Sequence, residues 1–147
     1  MNMKKTVIRI VSKNENLPSY ETDGSAGADI RACLEEPLTI MPGERKLVPT
    51  GMIVELPEGI EAQIRARSGL SIKHGITMVN GVGTVDPDYR GEWNVPLVNL
   101  SNEPYTINDG DRIAQAVFSR FERVEFELTG SVSETERGSG GFGSTGK

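Results

Sequence analysis

One cysteine and one histidine stand in 147 residues, and these two shortages exclude much. Cys33 alone builds neither an intrachain disulfide framework nor a multi-cysteine metal site, and it fits a reducing, cytoplasmic setting. With His74 as the only imidazole, neither a histidine metal centre nor a Ser-His-Asp triad can be assembled within one chain, so His74 is read as non-catalytic. No apolar run approaches the roughly 20 residues that cross a bilayer. The start, from Met1 to Ile10, has lysines but lacks the apolar core and small-residue cleavage site of a secretory signal; it reads as a first strand. Basic excess is missing too. A net charge of -5 argues against direct binding to nucleic acid, which needs a basic footprint, although local arginines can still hold a small anion.

What is present describes one globular domain: 36% hydrophobic and 25% charged residues in a chain long enough to bury a core. Apolar residues recur with period two. Ile60–Ala66 and Val124–Leu128 alternate strictly and predict half-buried strands, with further strand-like runs at Val7–Val11, Leu38–Met41, Lys46–Leu56, Glu92–Leu100 and Ile113–Phe121. Turn signals separate them: Pro42-Gly43, Pro57-Glu58-Gly59, Asn80-Gly81 and Asn108-Asp109-Gly110. The fold class is therefore all-β, a sandwich, jelly roll or closed barrel. Ser68 to Gly75 predicts one short helix with Ser68 as its cap. Residues 1–133 read as the β-domain. Residues 134–147, rich in glycine and serine, read as a flexible tail.

Several segments carry chemistry that folding alone explains poorly. Arg67-Ser68-Gly69 joins an arginine, a hydroxyl and a glycine where a turn begins, a set suited to gripping phosphate; a capped turn with a solvated arginine accounts for the same residues. The tail repeats the set in Arg137, Gly143, Ser144 and Thr145. Its lone Phe142 could stack on a planar ligand, and the competing reading is a disordered end. Asn80-Gly81-Val82-Gly83-Thr84 could present main-chain donors and acceptors to a flat heterocycle. It runs into Val85-Asp86, where a carboxylate near Tyr89 and Arg90 suits a general base, or else an ordinary Asp-Pro-Asp turn. Asp29 is a lone acid in a small-residue strand that could face Mg²⁺ directly or through water. In Gly110-Asp111-Arg112-Ile113-Ala114-Gln115, Asp111 and Arg112 read first as a structural ion pair.

Taken in order, these segments resemble the five motifs of the trimeric dUTPase family: Ala26–Ile30, Arg67–Ser71, Asn80–Glu92, Gly110–Gln115 and Arg137–Gly146. The resemblance spans most of the chain. It implies a jelly-roll subunit, a homotrimer with active sites shared between subunits, Mg²⁺ as cofactor, and hydrolysis of dUTP to dUMP and pyrophosphate, which limits uracil in DNA and supplies dUMP for thymidylate synthesis. It also implies roles. Asp86 would activate water for attack on the α-phosphorus. Asn80, Gly83, Thr84 and Val85 would read uracil, Tyr89 would pack under the deoxyribose, Asn94 would add a contact, and Phe142 would cover the base. Arg67, Ser68, Gly69, Gln115, Arg137, Gly143, Ser144 and Thr145 would hold the phosphates, and Asp29 the metal, through water. Pro87 departs from the family pattern by stiffening the turn after Asp86, and Trp93 belongs either to the trimer interior or to the site. Two other readings stay open: a dCTP deaminase of related fold, for which a second suitable carboxylate is not evident, and a catalytically idle binding jelly roll.

Overall fold

The period-two segments pair into antiparallel sheets, and the computed structural model describes residues 5–146 of them and their connections. Residues 1–4, expected to open the first strand, and Lys147, at the end of the expected tail, lie outside the described residues. Ten strands and one helix follow in order: β1 (Arg9–Ser12), β2 (Ala28–Arg31), β3 (Leu38–Ile40), β4 (Arg45–Glu55), β5 (Ile60–Arg65), α1 (Ser68–His74), β6 (Ile76–Met78), β7 (Gly83–Val85), β8 (Glu92–Asn99), β9 (Tyr105–Ile107) and β10 (Arg112–Arg120). One four-stranded sheet runs β1-β4-β8-β6, a second β2-β10-β5-β7, and β3 pairs with β9. The inward side chains of both large sheets meet in a single core that includes Ile30, Val54, Ile64, Trp93, Val95 and Leu97. The result is the all-β fold expected from the alternation, in the jelly-roll-like form that the family resemblance implies, with α1 as the one helix among the described residues. At seven residues that helix is too short to cross a bilayer.

Three local differences bear on the site. Val124–Leu128 forms no strand within the chain: Phe126 and Leu128 are fully exposed, and the alternating apolar edge finds no neighbour to pair with. A period-two pattern specifies a strand only where a partner supplies the other half of the ladder. Asn80-Gly81 turns the chain, with Gly81 at φ +69, but it is not a hairpin turn, because β6 pairs with β8 in one sheet and β7 with β5 in the other. The segment is a corner between sheets, and its main chain stays clear of both ladders. Helix α1 begins at Ser68 as expected, yet its cap position is the extended Arg67 and no side chain caps it.

A bulge in β4 bends that strand toward the same end. The pairing of β4 with β8 shifts between Pro49 and Ile53, around Gly51 at φ +71, where an added Cβ would lie 2.9 Å from the Cys33 sulfur. Thr50 Oγ1 donates to the Trp93 carbonyl oxygen at 2.6 Å, tying the bulge to the strand behind the site. At the other end of β8, Asn99 is completely buried. Its Nδ2 donates to the carbonyls of Ile40 and Glu103 at 2.9 and 2.7 Å, and its Oδ1 accepts from the Ser101 amide and hydroxyl. Removing this amide takes a donor from both carbonyls and leaves Glu103 only the Ser101 hydroxyl at 3.0 Å. Asn99→Ala is expected to lower unfolding free energy by about 2 to 4 kcal/mol in urea titration; a loss below about 1 kcal/mol would contradict the role given to it.

Candidate active site

Where the Asn80 corner meets the start of β8, a cavity of about 360 Å³ opens, bounded by Asn80, Gly83, Thr84, Val85, Asp86, Tyr89 and Asn94. Trp93, with Ile30, Ile64 and Val95, supplies apolar wall. The structure therefore brings together every residue of the proposed nucleoside set except Phe142, and puts Trp93 in the core beside that set. The loop after β7 is a closed turn: the Tyr89 amide donates to the Asp86 carbonyl at 3.2 Å, and proline sits at the second position, where its fixed φ favours such turns. Arg90 braces it, donating to the Pro87 carbonyl at 2.6 Å and lying 3.7 Å from Glu55. Asp86 itself is exposed at the cavity wall, without an ion pair or side-chain hydrogen bond among the described residues. A carboxylate so placed keeps its lone pairs for a ligand or a water. Behind it, Lys13 pairs with Glu92 at 3.0 Å, and that contact holds the Lys13 ammonium above the ordinary lysine range.

A second cavity, of about 410 Å³, lies among Arg67, Ser68, Gly69, Asp29 and Gln115 and shares no lining residue with the first. Strand β10 organises it. Gln115 stands opposite Asp29 on β2 and opposite Arg65 on β5, so residues far apart in sequence share one face. A bulge between Arg112 and Ala114 brings Arg112 onto that face as well; three positions from Gln115, it would face the other way on a regular strand. Asp29 is mostly buried and is held by Arg67 Nε and by Arg112 Nη1, each at 3.4 Å. Arg112 also reaches Glu21 at 3.1 Å. Asp111 and Arg112 do not form the ion pair expected of them, because Asp111 turns back to accept from the Asn108 amide at 2.8 Å. Glu21 and the dual role of Arg112 were not legible, since nothing in a polar loop marks one acid as the partner of an arginine 91 positions away.

The cleft is lined by two arginines, Arg67 and Arg112, facing two carboxylates, Asp29 and Glu21, with Ser68 and Gln115 adding neutral polar groups beside them. No group of three His, Cys, Asp or Glu side chains converges among the described residues, so no all-protein cation cage is built there. Asp29 still fits Mg²⁺, which commonly binds through one or two carboxylates together with waters and substrate phosphates. Gln115 donates to the Ala66 carbonyl at 3.1 Å and lies against Gly27. A Cβ on Gly27 would overlap the Gln115 side-chain oxygen and stand 3.0 Å from its Cδ. The tail residues expected to join the phosphate and base contacts, Arg137, Phe142, Gly143, Ser144 and Thr145, line neither cavity of the single chain. They lie exposed in local turns, with Arg137 Nε donating to the Gly140 carbonyl at 2.8 Å.

Residues 13–146 match the family model for dUTPase. The chain is 55% identical over 140 residues to the deoxyuridine 5'-triphosphate nucleotidohydrolase of Finegoldia magna, covering 95% of this chain and 98% of that one. It is 54% identical over 146 residues to the enzyme of the same name from Fusobacterium nucleatum, covering 99% and 100%. The structure of the Staphylococcus bacteriophage 80alpha dUTPase with dUpNHpp superposes with a TM-score of 0.87 at 25% identity, covering 97% of this chain and all of that one. The Gly27 contact gives a direct check on the second cavity. Gly27→Ala is expected to push the Gln115 amide out of place and weaken binding of inorganic pyrophosphate about 10-fold by calorimetry, the worth of roughly one hydrogen bond. Unchanged affinity would remove Gln115 from the anion site.

Proposed function

The chain belongs to the dUTPase family, and from that premise we propose that it hydrolyses dUTP to dUMP and pyrophosphate, with Asp86 as the base that activates water at the α-phosphorus. The observation that carries this reading is the Asp86 carboxylate, unpaired and exposed on the wall of the cavity formed by Asn80, Gly83 and Tyr89. A base there sits at the sugar end of a bound nucleotide. It can take a proton from a water as the water oxygen bonds to the α-phosphorus and the bridging P–O bond to pyrophosphate breaks.

Specificity follows from the same wall. Asn80 and the main chain of Gly83 to Val85 would pair with the edge of uracil. Cytosine reverses donor and acceptor at two ring positions, leaving partners unpaired at about 1 to 3 kcal/mol each. Tyr89 would fill the space of a ribose 2′-hydroxyl, and Asn94 would contact the nucleoside from β8. Arg67, Ser68, Gly69 and Gln115 would hold the phosphates. Mg²⁺ carried by the triphosphate and held through water by Asp29 would supply charge neutralisation on the leaving group. Arg67 and Arg112 meanwhile keep that carboxylate aimed into the cleft.

Asp86 and the group Arg67, Ser68, Gly69 and Gln115 line separate cavities of one chain, which supports a homotrimer in which each active site draws on more than one subunit. The unpaired, exposed apolar edge of Val124, Phe126 and Leu128 supports it independently, since a neighbouring subunit would cover it. Residues 134–147 would then act as a lid reaching a neighbour's site, with Arg137, Gly143, Ser144 and Thr145 on the phosphates and Phe142 over the base. Lid closure excludes bulk water and strengthens the charge contacts inside. The product dUMP would feed thymidylate synthesis in the cytoplasm, and loss of dUTP would limit uracil in DNA.

Asp86→Asn is expected to bind dUTP with near-normal affinity while kcat falls about 10³-fold, read by calorimetry and pyrophosphate release; near-normal turnover would move the base to another residue. Removing Ser139–Lys147 is expected to leave the circular dichroism and assembly state unchanged and abolish most turnover. Full kcat in that truncated protein would eliminate the lid.

A further inference from the structure

The turn that carries Asp86 is closed by an aromatic ring folded over its own backbone. Tyr89 donates its amide hydrogen to the Asp86 carbonyl, and its hydroxyl reaches past Gly91 to donate to the Glu92 carbonyl at 3.0 Å. The hydroxyl end of the phenol thereby lies against Gly91. A Cβ on Gly91 would overlap the phenol oxygen and stand 2.6 Å from Cζ and 2.9 Å from Cε2. Gly91 is not among the glycines with positive φ, so its backbone would accept any residue. The three atoms closest to a side chain there all belong to the tyrosine ring. Tyr89 is 45% exposed, so open space exists into which a displaced ring would swing without disturbing the core.

We infer that Gly91 is a positioning residue for sugar specificity: its missing side chain is what lets Tyr89 lie across the turn as the surface that tells deoxyribose from ribose. The inference rests on the role given to Tyr89 above and adds the residue through which that role is set. A methyl group at position 91 cannot coexist with the hydrogen bond from the Tyr89 hydroxyl to the Glu92 carbonyl, so the ring leaves and the space for a 2′-hydroxyl opens. Asp86 shares the turn but keeps its own carboxylate free, so turnover persists while selectivity falls.

The test compares kcat/KM for dUTP and UTP in the wild type, Gly91→Ala, Tyr89→Ala and the double variant. Gly91→Ala is expected to lower the dUTP:UTP ratio about 10-fold or more. The double variant is expected to show the ratio of Tyr89→Ala alone, because the three atoms nearest the added methyl all belong to the phenol that Tyr89→Ala removes. Wild-type selectivity in Gly91→Ala, or additive losses in the double variant, would overturn the inference while leaving the role of Tyr89 intact. A wild type that hydrolyses dUTP and UTP alike would overturn that role together with this inference. Should Gly91→Ala fold poorly, the double variant is expected to regain wild-type thermal stability; a double variant equally unstable would move the need for glycine to the backbone and refute the proposal.

Discussion

The hydrogen-bonded register of β10 between β2 and β5 is the constraint on which the phosphate end of the proposed site depends. It sets Gln115 level with Asp29 on one side and Arg65 on the other, and its bulge turns Arg112 onto the same face. A slip of one residue would exchange Ala114 for Gln115 and bury a polar amide in the sandwich while exposing its core. The apolar residues that fix the register, Ile30, Ala62, Ile64, Ala114 and Ala116, are all buried, so the packing of the core aligns the outer face. The chemistry is carried on the reverse side of the folding problem.

Two acids illustrate how surroundings divide labour. Asp29 is mostly withdrawn from water and held by Arg67 and Arg112, a pinned charge suited to the proposed orienting of a cation and its waters. Asp86 stands exposed on a braced turn with no ion pair or side-chain hydrogen bond among the described residues, suited to the base role proposed for it. Their separation into different cavities makes assembly part of the proposed mechanism, with the base of one subunit facing phosphates held by another.

The two-residue period of Ile60–Ala66 and Glu92–Leu100 revealed the main strands because each is half-buried against one core, and the glycine turns at Gly43, Gly59, Gly81 and Gly110 all adopt the positive φ that their composition suggested. Strands of three residues such as β6 and β9 are too short to show a period. Val124–Leu128 misled for the opposite reason: its pattern is clear, but no strand pairs with it among the described residues. Asp86, Asn80 and Tyr89 could be grouped from the sequence because they are close along the chain, and they line one cavity from the two ends of β7. The contacts of Glu21, Gly27 and Gly91 with Arg112, Gln115 and Tyr89 were not legible, since only the fold creates them.

Which phosphorus the water attacks tests the central claim most directly, because only a base beside the sugar end directs water to the α-position. Hydrolysis of dUTP in ¹⁸O-labelled water, followed by mass spectrometry of both products, is predicted to place a single label in dUMP and none in pyrophosphate. Label in pyrophosphate would mean attack at the β-phosphorus and would contradict the role assigned to Asp86.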